Sequence, residues 1–150
     1  MNVHQQLADK VKKLTVFCIA NRGKCFAQLD AGRLFRYVAF HLLNGNLFAE
    51  YDEAGNPSMV IICWPDLSAR LVSGEPVFNW QAPVVGGDAI FVAEVIGCRT
   101  LTKKFLKAVT EHWPESPRRK LFTFRMKNNT PTLVELNWET IQRFTNYVRP

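Results

Sequence analysis

The feature that most constrains the fold is the run Ala89–Ile96, Ala-Ile-Phe-Val-Ala-Glu-Val-Ile, entered through Gly86-Gly87-Asp88. A short stretch so dense in apolar and β-branched residues reads as a strand, and its apolar positions fall on both faces. Such a strand must be covered on both sides, which places it inside a sheet flanked by other elements. The only charge in the run is Glu94. A carboxyl there either points inward, paired or neutral with a raised pKa, or lies on a solvent face or against an arginine.

The segments around this strand have their own periodicities. Leu7, Val11, Leu14 and Cys18 recur at helical spacing, so the first twenty residues read as an amphipathic helix ended by Asn21-Arg22-Gly23. Asp30 is a good N-cap for a second helix carrying Leu34, Val38 and Leu42 on one face, stopped by Asn44-Gly45-Asn46. Residues 47–51 and 58–64 are apolar runs separated by Asp52-Glu53-Ala54-Gly55-Asn56-Pro57, a β-hairpin pattern. Residues 65–88 read as irregular, punctuated by Pro65, Pro76, Pro83 and Gly86-Gly87, with room for a short strand around residues 70–72. After the central strand, Leu101, Phe105, Val109 and Trp113 mark a helix capped by Thr100 or Thr102 and closed by Pro114. Residues 120–126 alternate as a strand, and Asn137 caps a final helix with Trp138, Ile141, Phe144 and Val148 on its face. The expected fold is α/β, one domain over residues 1–150 with a mixed sheet flanked by helices.

Charge is distributed in three blocks behind a net +6. Residues 1–43 hold seven Lys/Arg against two Asp/Glu (+5), residues 44–98 one against seven (−6), and residues 99–150 eleven against four (+7). Basic flanks around an acidic middle leave surface for an acidic partner, whether nucleic acid or protein, or form a solvated surface with no partner. With 47% apolar residues the chain can bury a core, which excludes disorder. No run approaches the length of a spanning helix, and residues 1–13 lack the basic-then-apolar order of a signal peptide. Cys18, Cys25, Cys63 and Cys98 show no Cys-x-x-Cys spacing, so the expectation is a reduced, cytoplasmic chain with no metal site.

Three motifs carry a resemblance. Residues 47–64 form a hairpin running into Cys63-Trp64-Pro65-Asp66-Leu67-Ser68; Gly87-Asp88 leads directly into the central strand; and the helix over residues 101–113, with Pro114, precedes the basic stretch 118–125. In this order they resemble the GNAT-like N-acyltransferase superfamily, and within it the lysine acyltransferases that activate RTX toxins. The similarity covers roughly residues 40–127. It implies a GNAT-like fold and transfer of an acyl group from an acyl-carrier-protein thioester to a protein lysine amine. No tightly bound cofactor is implied. The Gly-rich pyrophosphate loop of coenzyme-A-dependent members is replaced by Gly97-Cys98-Arg99-Thr100-Leu101-Thr102-Lys103-Lys104, so acyl-CoA is the less favoured donor.

The family works with a histidine and an aspartate. Reading from Gly87-Asp88, the aspartate position falls on Glu94, while the histidine position falls near Asn21-Arg22 or Cys25, where no histidine stands. Cys25 is either an acyl-accepting nucleophile helped by Arg22 and Lys24 or a small buried hydrophobe. An acidic carrier would suit Arg99, Lys103, Lys104, Lys107, Arg118, Arg119 and Lys120, which otherwise form a solvated face. Trp64 and Trp80 either line an acyl groove or cap the sheet. His41 reads as a helix-face residue and His112 as a favourable partner of a helix C-terminus. Phe122 and Phe124 beside Arg125 and Lys127 have no RNA-recognition pattern around them, which ranks nucleic acid last. Without the histidine, a non-catalytic interaction module that keeps the fold competes with the enzyme.

Overall fold

A computed structural model describes residues 2–21, 30–73, 87–97, 107, 111, 120–128 and 130–136. The first helix, α1 (Val3–Asn21), buries Val11, Leu14, Thr15 and Cys18. Its start is closed reciprocally: Gln5 N–H donates to Asn2 Oδ1 (2.9 Å) and Asn2 N–H donates to Gln5 Oε1 (3.1 Å). Helix α2 (Ala31–Leu43) begins at Asp30, whose carboxylate accepts the Arg33 N–H at 2.7 Å. Its buried face carries Leu34, Tyr37, Val38 and His41 and packs against α1. Asn44 caps its end, donating from backbone and side chain to the Phe40 carbonyl, and Gly45 follows at φ 71°.

Strands β1 (Leu47–Tyr51) and β2 (Pro57–Asp66) form the expected antiparallel hairpin, with Leu47 opposite Ile62 and Tyr51 opposite Pro57. Asp52 organises the turn by accepting from Asn56 N–H at 2.9 Å. From Met59 to Cys63 every residue of β2 is inaccessible, so β2 is as central as β3 (Ala89–Ile96). The hydrogen-bonded strand order is β1-β2-β3-β4-β5, where β4 is Lys120–Lys127 and β5 is Thr130–Leu136. β3 and β4 are parallel, paired from Ala89 with Lys120 to Val92 with Thr123, and the Thr123 hydroxyl donates to the Val92 carbonyl at 2.9 Å. The architecture is a mixed α/β fold. Residues Met1–Ile62 with Glu94–Gly97 make one compact unit, and Cys63–Ala93 with Cys98–Pro150 make a second.

Two elements differ from expectation. Residues 70–72 belong to a six-residue helix, α3 (Ser68–Ser73), not to a strand. Leu71 is buried there while Val72 is 70% exposed, and the Leu71 N–H donates to the Leu67 carbonyl. The start of this helix is held from a distance by Asp88, which local propensity does not register. β5 was absent from the sequence expectation because Pro131 interrupts its pattern. It is the last strand in the order, antiparallel to β4, and an edge position tolerates a proline. Lys127 pairs with Thr130, and Asn128 adopts the left-handed φ of 52° that a two-residue hairpin loop needs. In the expected helix over residues 101–113, Lys107 and Glu111 are helical; its other residues, and the helix expected from Asn137, lie outside the described residues. Among the described residues no helix is long and apolar enough to cross a membrane.

Candidate functional site

β3 delivers Glu94 into the first unit just after four buried residues, Ala89–Ile90 and Phe91–Val92. Glu94 is half-buried, as are Ala93 and Val95 beside it. Burial pushes its carboxyl up to about 8, against an ordinary value of 4.5. At neutral pH Glu94 is therefore mainly a neutral acid, able to give a proton and, once ionised, to take one back. Gly97 closes the strand at φ 88°, passing so near the Ser58 carbonyl that a Cβ would clash with its oxygen. Only glycine lets β3 leave the sheet at this point.

Cys18, fully buried on α1, lies within electrostatic reach of Glu94. Its thiol is raised to about 12, first by burial and then by the Glu94 negative charge. This is the opposite of an activated nucleophile: both effects keep the sulfur protonated. Cys63 is likewise buried, and its thiol is pushed well above 9. His41 is fully buried on α2, edge-on to the rings of Tyr37 (4.7 Å) and Phe40 (5.1 Å). The Asn46 amide nitrogen lies 3.1 Å from Nδ1. Burial lowers its pKa to about 4, so the ring is neutral across the physiological range.

The second unit holds a different cluster, and it joins two of the motifs singled out in the sequence. Both oxygens of Asp88 are engaged by Ser68: the hydroxyl donates to Oδ2 at 2.6 Å and the backbone N–H donates to Oδ1 at 2.8 Å. These two bonds, the hydroxyl foremost, hold the exposed Asp88 carboxylate below its ordinary range, and Lys120 adds a smaller electrostatic pull. Asp66, fully buried, accepts from Trp64 Nε1 (3.1 Å) and from the Leu67 N–H (2.8 Å). Gly87 runs against the Asp66 backbone, where a Cβ would come within 2.7 Å of the carbonyl oxygen. Trp-Pro-Asp-Leu-Ser and Gly-Asp thus form one clasp at the entry to β3.

The remaining sequence candidates separate. Trp64 is buried against Phe91, with ring centroids 5.1 Å apart. Lys107 is exposed and paired with Glu111 at 4.0 Å, and Lys120 is exposed at the start of β4. Cys25, Trp80, Arg99, Lys103, Lys104, Arg118 and Arg119 lie outside the described residues. Asp66 and Cys18 carried no functional expectation from sequence; the polar residue inside Trp-x-Asp-Leu-Ser was the available signal for the first, and nothing local marks the second. Among the described residues no group of three or more His, Cys, Asp and Glu is arranged to hold a metal. No protein-family model, no curated protein and no solved structure matches this chain.

Proposed function

We propose that the protein is an acyltransferase-like enzyme that moves an acyl group from a carrier-protein thioester to a protein lysine amine, with Glu94 as its proton-transfer residue. The observation that carries this reading is the Glu94 carboxyl, raised to about 8 near the end of β3. The order helix, helix, hairpin, central strand and parallel strand, with Lys107 and Glu111 helical between the last two, supports it. In the transfer, the amine nitrogen bonds to the thioester carbonyl carbon and the carbon–sulfur bond breaks. The departing thiolate needs one proton and the attacking nitrogen must lose one. A carboxyl with a pKa near the working pH suits both, giving its proton to sulfur and recovering one from nitrogen.

A non-catalytic interaction module is the second reading, and the chemistry of the first unit favours it in one respect. His41 is buried and neutral, and the Cys18 thiol is deactivated, so neither replaces the family's histidine. Incubation with acyl-carrier protein bearing a labelled fatty acid, plus a lysine peptide, separates the two. Transfer that is lost in Glu94→Gln supports the enzyme. Carrier binding with no transfer at any chain length identifies the module.

A further inference from the structure

The sequence contains a single Asn-Gly pair, Asn44-Gly45, and it falls where α2 ends. Both residues are exposed. The turn has a left-handed glycine close. The Asn46 N–H donates to the His41 carbonyl at 2.8 Å, the Gly45 N–H donates to the Leu42 carbonyl at 3.3 Å, and Gly45 takes a φ of 71°. The Asn44 side chain tightens it, with Nδ2 donating to the Phe40 carbonyl at 2.7 Å. The Asn46 amide nitrogen lies 3.1 Å from His41 Nδ1, so side chains also meet across the turn. An asparagine followed by glycine is chemically labile. Glycine has no Cβ to shield its nitrogen from the neighbouring side-chain amide carbon, and its backbone turns freely.

We propose that Asn44 is a deamidation site, gated by this turn, whose conversion to aspartate and isoaspartate unlocks the end of α2. In the reaction the Gly45 nitrogen gives its proton to solvent base and bonds to Asn44 Cγ. The Cγ–Nδ2 bond breaks, and ammonia leaves after taking up one proton. Water then opens the succinimide at either carbonyl, giving aspartate or isoaspartate. The folded geometry opposes ring closure. Asn44 ψ is 8°, which eclipses the Gly45 nitrogen with Asn44's own nitrogen and turns it away from Cβ. The Gly45 proton is engaged by the Leu42 carbonyl, and Nδ2 is held by the Phe40 carbonyl. Closure therefore needs the last turn of α2 to open first, and its rate follows the population of that opening. The product then favours the open turn. A carboxylate has no proton to donate to the Phe40 carbonyl, and its charge sits at the negative end of the helix macrodipole. Isoaspartate also inserts a carbon into the backbone between α2 and Gly45, which displaces the donors of the turn. This chemistry is independent of acyl transfer and of Glu94.

The test is prolonged incubation of the full chain at mildly alkaline pH, either folded or in urea above its unfolding midpoint. The peptide containing Asn44 is followed by mass spectrometry for the amide-to-acid change and for isoaspartate. Acid at Asn44 is expected in both samples, at least about tenfold more slowly in the folded chain, and faster as urea rises toward the midpoint. Asn44→Gln, whose extra methylene disfavours ring closure, should stay unconverted. Asn44→Asp reproduces the aspartate product. It should speed hydrogen exchange of the Asn44, Gly45 and Asn46 amides at least about fivefold, with the amides of β2 and β3 unchanged. Equal rates in the folded and unfolded chains, no conversion in the folded chain, or wild-type exchange in Asn44→Asp would each overturn the assignment.

Discussion

Glu94→Gln should change how the stability of this protein depends on pH. The folded carboxyl titrates at about 8 and the unfolded one at 4.5, so between those values the folded state holds one more proton. Its contribution is fully present below pH 4.5 and is lost as pH rises toward 8, at about 1.4 kcal/mol per pH unit. Across the whole window the loss reaches at most about 5 kcal/mol, an upper bound because Glu94 keeps some contact with water. His41 works in the opposite sense. Its folded pKa of about 4 lies below the ordinary 6.5, so the unfolded chain holds the extra proton and stability falls as pH drops through that range. Between pH 4.5 and 6.5 the two slopes cancel. Above 6.5 the Glu94 slope stands alone, and the wild type should lose about 2 kcal/mol by pH 8. Urea unfolding from about pH 4 to about pH 9 reads this directly. The variant should be level above pH 6.5 and should instead decline on acidification from 6.5 to about 4, by about 3 kcal/mol, as His41 acts unopposed. Wild type and variant with the same slope between pH 6.5 and 8 would refute the assignment of a neutral, buried carboxyl.

Other consequences follow from single contacts. Gly97→Ala places a Cβ against the Ser58 carbonyl in a left-handed conformation and should cost about 3 kcal/mol or more, read as a fall in the urea midpoint. Asp30→Ala removes the cap of α2 and should cost about 1 kcal/mol, with Asp30→Asn close to wild type. Thr123→Val leaves the buried Val92 carbonyl without its hydroxyl donor and should cost about 1 to 3 kcal/mol, whereas Thr123→Ser should retain most of that bond. Cys18 and Cys63 should resist alkylation by iodoacetamide in the native protein and react at the rate of unfolding; prompt native labelling of Cys18 would contradict its raised pKa.

The regular elements were legible because their signals are local. The repeat of Leu7, Val11, Leu14 and Cys18, the cap at Asp30 and the stop at Asn44-Gly45 each act within a few residues, and α1 and α2 follow them. The same holds for the hairpin and for β3 and β4, whose patterns survive in the sheet. α3 and β5 were not legible. Ser68 is capped by an aspartate 20 residues away, and β5 takes its identity from pairing with β4 despite Pro131.

For the candidate site the division is sharper. The amino-acid order alone determined that a lone carboxyl sits in an apolar strand, and that the chain holds no histidine between His4 and His41. It left both faces of β3 open as destinations for Glu94. Tertiary structure decided that this carboxyl is driven up to about 8, that its charge is felt by Cys18 on α1, and that His41 is sealed and neutral. The physical reason is that a pKa reports the cost of removing a charge from water. That cost depends on everything packed around the group, from parts of the chain that no local pattern brings together.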